Sequence, residues 1–423
     1  MRRIYTIVLG LLLPLVLLRL FWRGRRSPGY RQRWQERLGR LPPMAAGNVI
    51  WVHAVSVGEA QAAQPLIRRL LADYPSYRVF VTTTTPTGAD RVRRLFDGEV
   101  VHRYFPYDLP GIVRNFLDAV HPDMVLVMET EIWPNLLAEC ERRTVPVMLV
   151  NARLSARSAR GYGWFGDLTR ESLQRIRRIA VQSPEDGERF VELGAPRARV
   201  AVTGSLKFDI RLPASVGEQA EVLRLGWGMD RPVWVAASTH EGEEPLVLDA
   251  HERILAQFPD ALLVLVPRHP ERFDEVAQLV ADRGFDLSRR SDEPAPCHAC
   301  QVYVGDTMGE LPVFYAAADV AYVGGSLVPV GGHNILEPAA LGVPVVFGPH
   351  MFNFAAIGAL FLDQQAARQA PDEQALAEVI VGWMADSGER ARIGDNGRRV
   401  VAANRGGLDA TMKLVADILP EEA

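Results

Sequence analysis

Three carboxylates and one lysine stand out for their chemistry and for where they fall. Glu59 closes "SVGE", after the apolar run "WVHAV" and before the helical "AQAAQPLIRRL". Gly58 permits a tight turn, which puts Glu59 in the first turn of a helix. A carboxylate there complements the helix dipole. It also meets the requirement of a general base, which must lie within hydrogen-bond reach of the hydroxyl it deprotonates. Glu129 and Glu131 flank Thr130 in "METEIWPN", at a strand end. Carboxylates so close repel unless they are separated or paired with cations. Trp133 in the same stretch can pack on a sugar or on the neighbouring helix. Lys207, in "TGSLKFD", and Lys413 are the two lysines in a chain with 47 Lys and Arg. A point-charge ammonium where arginine is the habit suits a specific anionic partner, although an ordinary surface lysine fits the same description. Arg153, Arg157 and Arg160 lie beside aromatics in "NARLSARSARGYGWF", as a phosphorylated, lipid-bearing ligand or a plain solvated basic face would have them.

The second half offers phosphate and ribose chemistry. Arg268 follows "LLVLVP" and can clamp a phosphate. Gly309 and Glu310 in "GDTMGELP" follow the next strand, where backbone can meet a base or ribose. From Gly324 to Pro349 runs "GGSLVPVGGHNILEPAALGVPVVFGP". Its glycines let backbone approach an anion, and a helix beginning near Asn334 would present free N–H groups to it. Glu337, in the first turn, would accept hydrogen bonds from ribose hydroxyls. A diphosphate would crowd that carboxylate, so a monophosphate fits better. The chain has no GxxxxGK[ST] loop, no Asp-x-Asp pair for a metal-held sugar diphosphate and no Gly-x-Ser-x-Gly elbow. The pattern reads as a nucleotide handled without metal or other cofactor.

These residues need strand ends to carry them. From Asn48, short apolar runs alternate with amphipathic stretches, as in parallel sheets covered on both faces. A polar passage, "IRLPASVGEQ", separates two such series near residue 210. The expected fold is α/β: two doubly wound, Rossmann-like domains facing a cleft, with functional residues just after strands. The expected division is 1–27 as membrane anchor and basic flank, 28–212 as the N-terminal domain and 213–423 as the C-terminal domain, whose last part reads as helices without a strand. The N-terminus places "MRR" before the apolar Ile4–Leu18 and the basic "RGRRSPGYRQRWQERLGR" after it. No small-residue cleavage site follows, so a retained anchor is expected, with the body on the cytoplasmic face where positive charge stays. A formal charge of −4 argues against general nucleic-acid binding. Three cysteines, with a lone Cys297–Cys300 CxxC, suggest a reducing compartment and incidental thiols.

Taken in order, "SVGE", "METEIWPN", "NARLSARS", "GSLKFD", "VPRHPERF", "GDTMGELP" and "GGSLVPVGGHNILEPAALGVPVVFGP" resemble the 3-deoxy-D-manno-octulosonic acid (Kdo) transferases of lipopolysaccharide assembly. The resemblance implies a GT-B glycosyltransferase that takes Kdo from CMP-Kdo to the tetraacyl lipid A precursor at the inner membrane. It implies that Glu59 is the catalytic base and that Glu129 and Lys207 stabilise the transition state. It also implies that Pro267 and Arg268, Met308, Gly309 and Glu310, and Asn334, Ile335, Leu336 and Glu337 bind CMP. Arg153 and Arg157 are the candidate acceptor contacts. The competing readings are another GT-B enzyme acting on a UDP-sugar, and a membrane-tethered nucleotide-binding protein without catalysis.

Overall fold

The structure is a computed structural model that describes residues 1–42, 44–210, 212–292 and 299–419. Cys297 and His298 of the CxxC lie outside these; Cys300 is buried. The chain divides into two compact units, one of Met1–Asp209 with the segment from Arg405 onward, the other Ile210–Asn404.

The first unit holds strands β1 (Val49–His53), β2 (Arg78–Thr83), β3 (Val101–Tyr104), β4 (Met124–Met128), β5 (Val147–Ala152), β6 (Arg178–Val181) and β7 (Val200–Val202). They form a wholly parallel sheet in the order β3-β2-β1-β4-β5-β6-β7. β1 and β4 are buried at every residue because helices cover both faces, which is why these strands read as continuous apolar runs rather than alternating ones. One core contains Ile50, Val52, Leu126 and Met148, and the other Trp51, Val125, Val127 and Leu149; the pleat sends alternate side chains to opposite faces.

The second unit repeats the plan with β8 (Val233–Thr239), β9 (Leu262–Pro267), β10 (Leu287–Arg289), β11 (Val302–Val304), β12 (Val320–Val323), β13 (Val345–Phe347) and β14 (Ala367–Gln369). Their order is β10-β11-β9-β8-β12-β13-β14, again parallel. The order reverses between β1 and β4 in the first sheet and between β8 and β12 in the second, where β11 also returns inside the edge strand β10. Loops leaving the carboxyl ends of strands at such a point part in opposite directions and leave a crevice for ligand.

Two expectations about the end of the chain change. β14 adds a strand where helices alone were expected; it is a three-residue edge whose Arg368 and Gln369 are exposed, so it has no apolar run to announce it. The helix Gly407–Ala416 belongs to the first unit, not to the rest of 213–423. Its Leu408, Met412 and Val415, with Leu419 beyond, lie in the core that contains Leu66, Leu70 and Tyr74. The Asp209 carboxylate fixes its start by accepting the amides of Gly406 at 2.8 Å and Leu408 at 2.7 Å.

The N-terminal helix Arg2–Arg26 is long and apolar enough to cross a membrane.

Candidate active site

In the first unit the chemistry gathers at the reversal point between β1 and β4. Ser56 caps the short helix Val57–Ala62, and its hydroxyl accepts the Glu59 amide. The Glu59 carboxylate folds back to accept the Val55 amide at 2.8 Å and the Ser56 hydroxyl at 3.2 Å, a reciprocal cap that fixes the side chain. Burial pushes this carboxyl up to about 7; the hydrogen bond from Val55 opposes the shift, while the charges of Glu129 and Glu131 add to it. Glu131 is also pushed up to about 7, by burial first and further by the charge of Glu129.

Glu129 is held differently. It follows β4 with φ 54°, in the left-handed region that costs a non-glycine residue on the order of 1–3 kcal/mol. Its amide is held at 2.9 Å by the Val150 carbonyl. Such strain persists where the surroundings over-determine it, and that happens most often at sites of function. Asn151 at the end of β5, φ 55° and fully buried, turns its Oδ1 to the Leu206 amide at 3.1 Å and so fixes the turn that carries Lys207. Burial draws the Lys207 ammonium below the ordinary lysine value; Glu129 opposes this, Arg153 reinforces it and Glu59 opposes it. Glu59, Glu129 and Lys207 are therefore one electrostatic group. Arg153 and Arg157 are exposed, Arg157 on the helix Ala156–Gly163. Trp133 packs against Phe105 with ring centroids 5.3 Å apart, so its place is with the neighbouring elements. Thr85 caps the helix Pro86–Phe96 through the Gly88 amide, as the hydroxyl-rich stretch before it suggests.

In the second unit Pro267 ends β9, and the Arg268 amide donates to the Thr239 carbonyl at 3.0 Å. Arg268 is close enough to Glu337 to favour its charge, against a burial that raises the Glu337 carboxyl overall. Asn334 donates its side-chain amide to Glu337 at 3.0 Å and accepts the Leu336 amide at 3.1 Å. Arg268, Asn334 and Glu337 thus form a connected cluster. Ile335 and Leu336 have no exposed surface, backbone included, and the Leu336 amide is taken by Asn334. Met308 is 67 % exposed, and Gly309 takes φ 90° beside it. Glu310 is held by Arg290 through both carboxylate oxygens and by Thr307.

The glycine-rich stretch departs from expectation. The amides of Gly325 (2.7 Å), Ser326 and Leu327 (both 3.0 Å) do not stand open for a phosphate, because the fully buried Glu243 carboxylate takes all three. It also accepts the His240 amide at 3.2 Å and the Tyr322 hydroxyl. Glu243 lies 82 to 84 residues away in sequence, in "STHEGEE", where nothing local marks it. The helix expected near Asn334 begins at Leu336. Also unmarked are His240 and His333, which with His269 form a cluster of imidazoles beside Arg268. His240 and His333 stack with Nε2 atoms 2.8 Å apart, and His269 meets His240 edge-on at 5.1 Å. Burial pushes the His333 imidazole down to about 3, leaving it neutral at physiological pH.

Residues 32–210, which hold Glu59, Glu129 and Lys207, match a family model described as 3-deoxy-D-manno-octulosonic-acid transferase. The 3-deoxy-D-manno-octulosonic acid transferase of Haemophilus influenzae is 41 % identical over 99 % of both chains, and that of Bordetella pertussis 40 % identical over 99 % of both. The chain belongs to the Kdo transferases. It is accordingly a glycosyltransferase, with the two Rossmann-like units of the GT-B kind. A crystal structure of the UDP-GlcNAc 2-epimerase of Neisseria meningitidis bound to UDP-GlcNAc shares that fold, with TM-score 0.52 and 14 % identity over 88 % of this Kdo transferase and 100 % of the epimerase.

Proposed function

We propose that this Kdo transferase moves Kdo from CMP-Kdo to the 6′-hydroxyl of the tetraacyl lipid A precursor, in a single metal-independent displacement that inverts the anomeric centre. The observation that carries the reading is the Glu59 carboxyl, fixed by its own cap and raised to about 7. A general base works best when its pKa lies near the operating pH. Glu59 takes the proton of the acceptor hydroxyl as that oxygen forms its bond to the anomeric carbon and the bond to the CMP phosphate breaks. One displacement needs no covalent sugar–enzyme intermediate. The Arg268 guanidinium and the polar atoms of Asn334 receive the nucleotide phosphate, and Glu337 takes the ribose hydroxyls. Backbone at Pro267 and Met308 to Glu310 completes the CMP contacts, and the buried Ile335 and Leu336 hold Asn334 and Glu337 in place. Lys207 and Glu129 stabilise charge that develops in the transition state, and Arg153 and Arg157 meet the acceptor phosphates. The N-terminal helix holds the enzyme on the cytoplasmic face of the inner membrane, where donor and lipid meet.

Glu59→Gln tests this. It keeps shape and removes the proton acceptor, so transfer should fall by at least about 100-fold, within the range general-base catalysis contributes. Protection by CMP against thermal unfolding should persist and exceed that by UDP. Transfer close to that of the parent enzyme would remove Glu59 as the base, and stronger protection by UDP would favour a UDP-sugar donor.

A further inference from the structure

The N-terminal helix makes a contact that an upright spanning helix could not keep. Asn135 donates to the Thr6 hydroxyl at 3.0 Å. Tyr5 lies within the field of the Asp108 carboxylate, which accepts the amides of Asn135 at 2.9 Å and Leu136 at 2.7 Å. Asp108 and Asn135 are 1 % and 4 % exposed, so the first turns of the helix rest on a built polar floor of the first unit. At the other end Arg31 lies over the Phe21 ring at 4.0 Å and donates to the Phe21 carbonyl at 3.2 Å. Between the ends the better-covered positions are Thr6, Leu9, Leu13, Leu17, Leu20 and Gly24. Their spacing of three and four residues makes them one stripe along the whole helix. On the other sides Ile7, Leu11, Leu15, Leu18 and Trp22 are each more than 60 % exposed. A continuous apolar surface of that length is not left to water.

The helix is about 37 Å long at about 1.5 Å per residue, against a hydrocarbon core of about 30 Å. Standing upright with its basic end at the catalytic face, it would carry Tyr5 and Thr6 to the opposite headgroups. Asp108, Asn135 and the irregular backbone around them would have to follow into lipid, where open loops are not tolerated. The charges agree. Arg2, Arg3, Arg19, Arg23 and Arg25 are spread along the helix and exposed. A helix lying flat lets each of them reach anionic headgroups.

We propose that the helix Arg2–Arg26 lies in the plane of one leaflet, its first turns seated on the first unit and its remaining faces in lipid, so that the chain is held on the membrane without crossing it. This rests on the membrane attachment proposed above.

The test uses the full chain in sealed membrane vesicles of both orientations and a membrane-impermeant maleimide, with the parent chain as background. Arg3→Cys reports the start of the helix, and Arg94→Cys, an exposed position on the helix Pro86–Phe96, reports the face of the first unit. The in-plane helix predicts that both thiols react in the same vesicle orientation. Reaction of Arg3→Cys only in the opposite orientation means that the helix crosses, and overturns the proposal. In a second arm, Thr6→Cys with Asn135→Cys should form an intramolecular disulfide in the membrane-bound protein on mild oxidation; no cross-link there counts against the seating. Deletion of residues 1–26 separates the two readings. If binding to vesicles is unchanged, the attachment itself fails. If binding is lost while the thiols label opposite faces, only the in-plane placement fails.

Discussion

Glu243→Ala probes why the glycine-rich stretch after β12 has its shape. The substitution leaves the amides of His240, Gly325, Ser326 and Leu327 and the Tyr322 hydroxyl without their shared acceptor. A buried donor left unsatisfied costs about 1–3 kcal/mol, and five of them would sum to about 5–15 kcal/mol if nothing relaxed. Water entering the space vacated by the carboxylate will satisfy some, so a loss of about 3–5 kcal/mol is expected, the scale of breaking a buried charged partnership. For a unit of roughly 200 residues that is about 6–20 °C in melting temperature. Calorimetry should show the loss in one unit only, because Glu243 and its partners all lie within Ile210–Asn404. Hydrogen exchange should then speed up at residues 325–327 ahead of the strands. Because Gly331 and Gly332 both donate to the Gly325 carbonyl, the loop that leads to Asn334 should loosen as well, raising the KM for donor. A melting temperature within about 2 °C of the parent, with exchange unchanged, would refute the reasoning that this carboxylate holds the loop.

The acid–base character of the first unit should appear as opposite trends in activity and stability. Glu59 and Glu131 are raised from 4.5 to about 7, so the folded unit binds more protons than the unfolded chain between those values and loses stability as pH rises through the window. Transfer should instead rise with pH through about 7 as Glu59 ionises, and pH–rate profiles beside thermal melts will show whether the trends oppose; because the two carboxyls interact, the measured values belong to the pair. Lys207→Ala should lower turnover far more than it lowers melting temperature; a large fall in melting temperature with turnover intact would make the lysine structural. Leu408→Ala should destabilise the first unit by about 2–5 kcal/mol, since Leu408 is 4 % exposed within that core, and urea titration will measure it.

Much of this was legible in the sequence because continuous apolar strands and strand-end polar residues are local signals. Glu59 in a first helical turn needs only "SVGE" and the run before it, and the Thr85 cap needs only "TTTTPTG". What stayed hidden depended on distance. Gly325, Ser326 and Leu327 look open until Glu243 is brought back to them across the sheet. The Arg290 partner of Glu310 sits in a polar stretch with no pattern of its own. β10 and β14 are three-residue edges whose partners supply the order that their side chains do not. The helix Gly407–Ala416 shows an apolar stripe in sequence, but a stripe does not say which core will receive it.

The Asp209 carboxylate receives Gly406 and Leu408. In topology the second unit is therefore an insertion within the first. On a ribosome the first sheet must wait, one side of its core open, until the stretch from Arg405 has been made. A stop codon after Asp209 would release a fragment with bare Leu66 and Tyr74 and a strong tendency to aggregate, whereas the stretch from Arg405 onward, supplied as a separate peptide, should restore it.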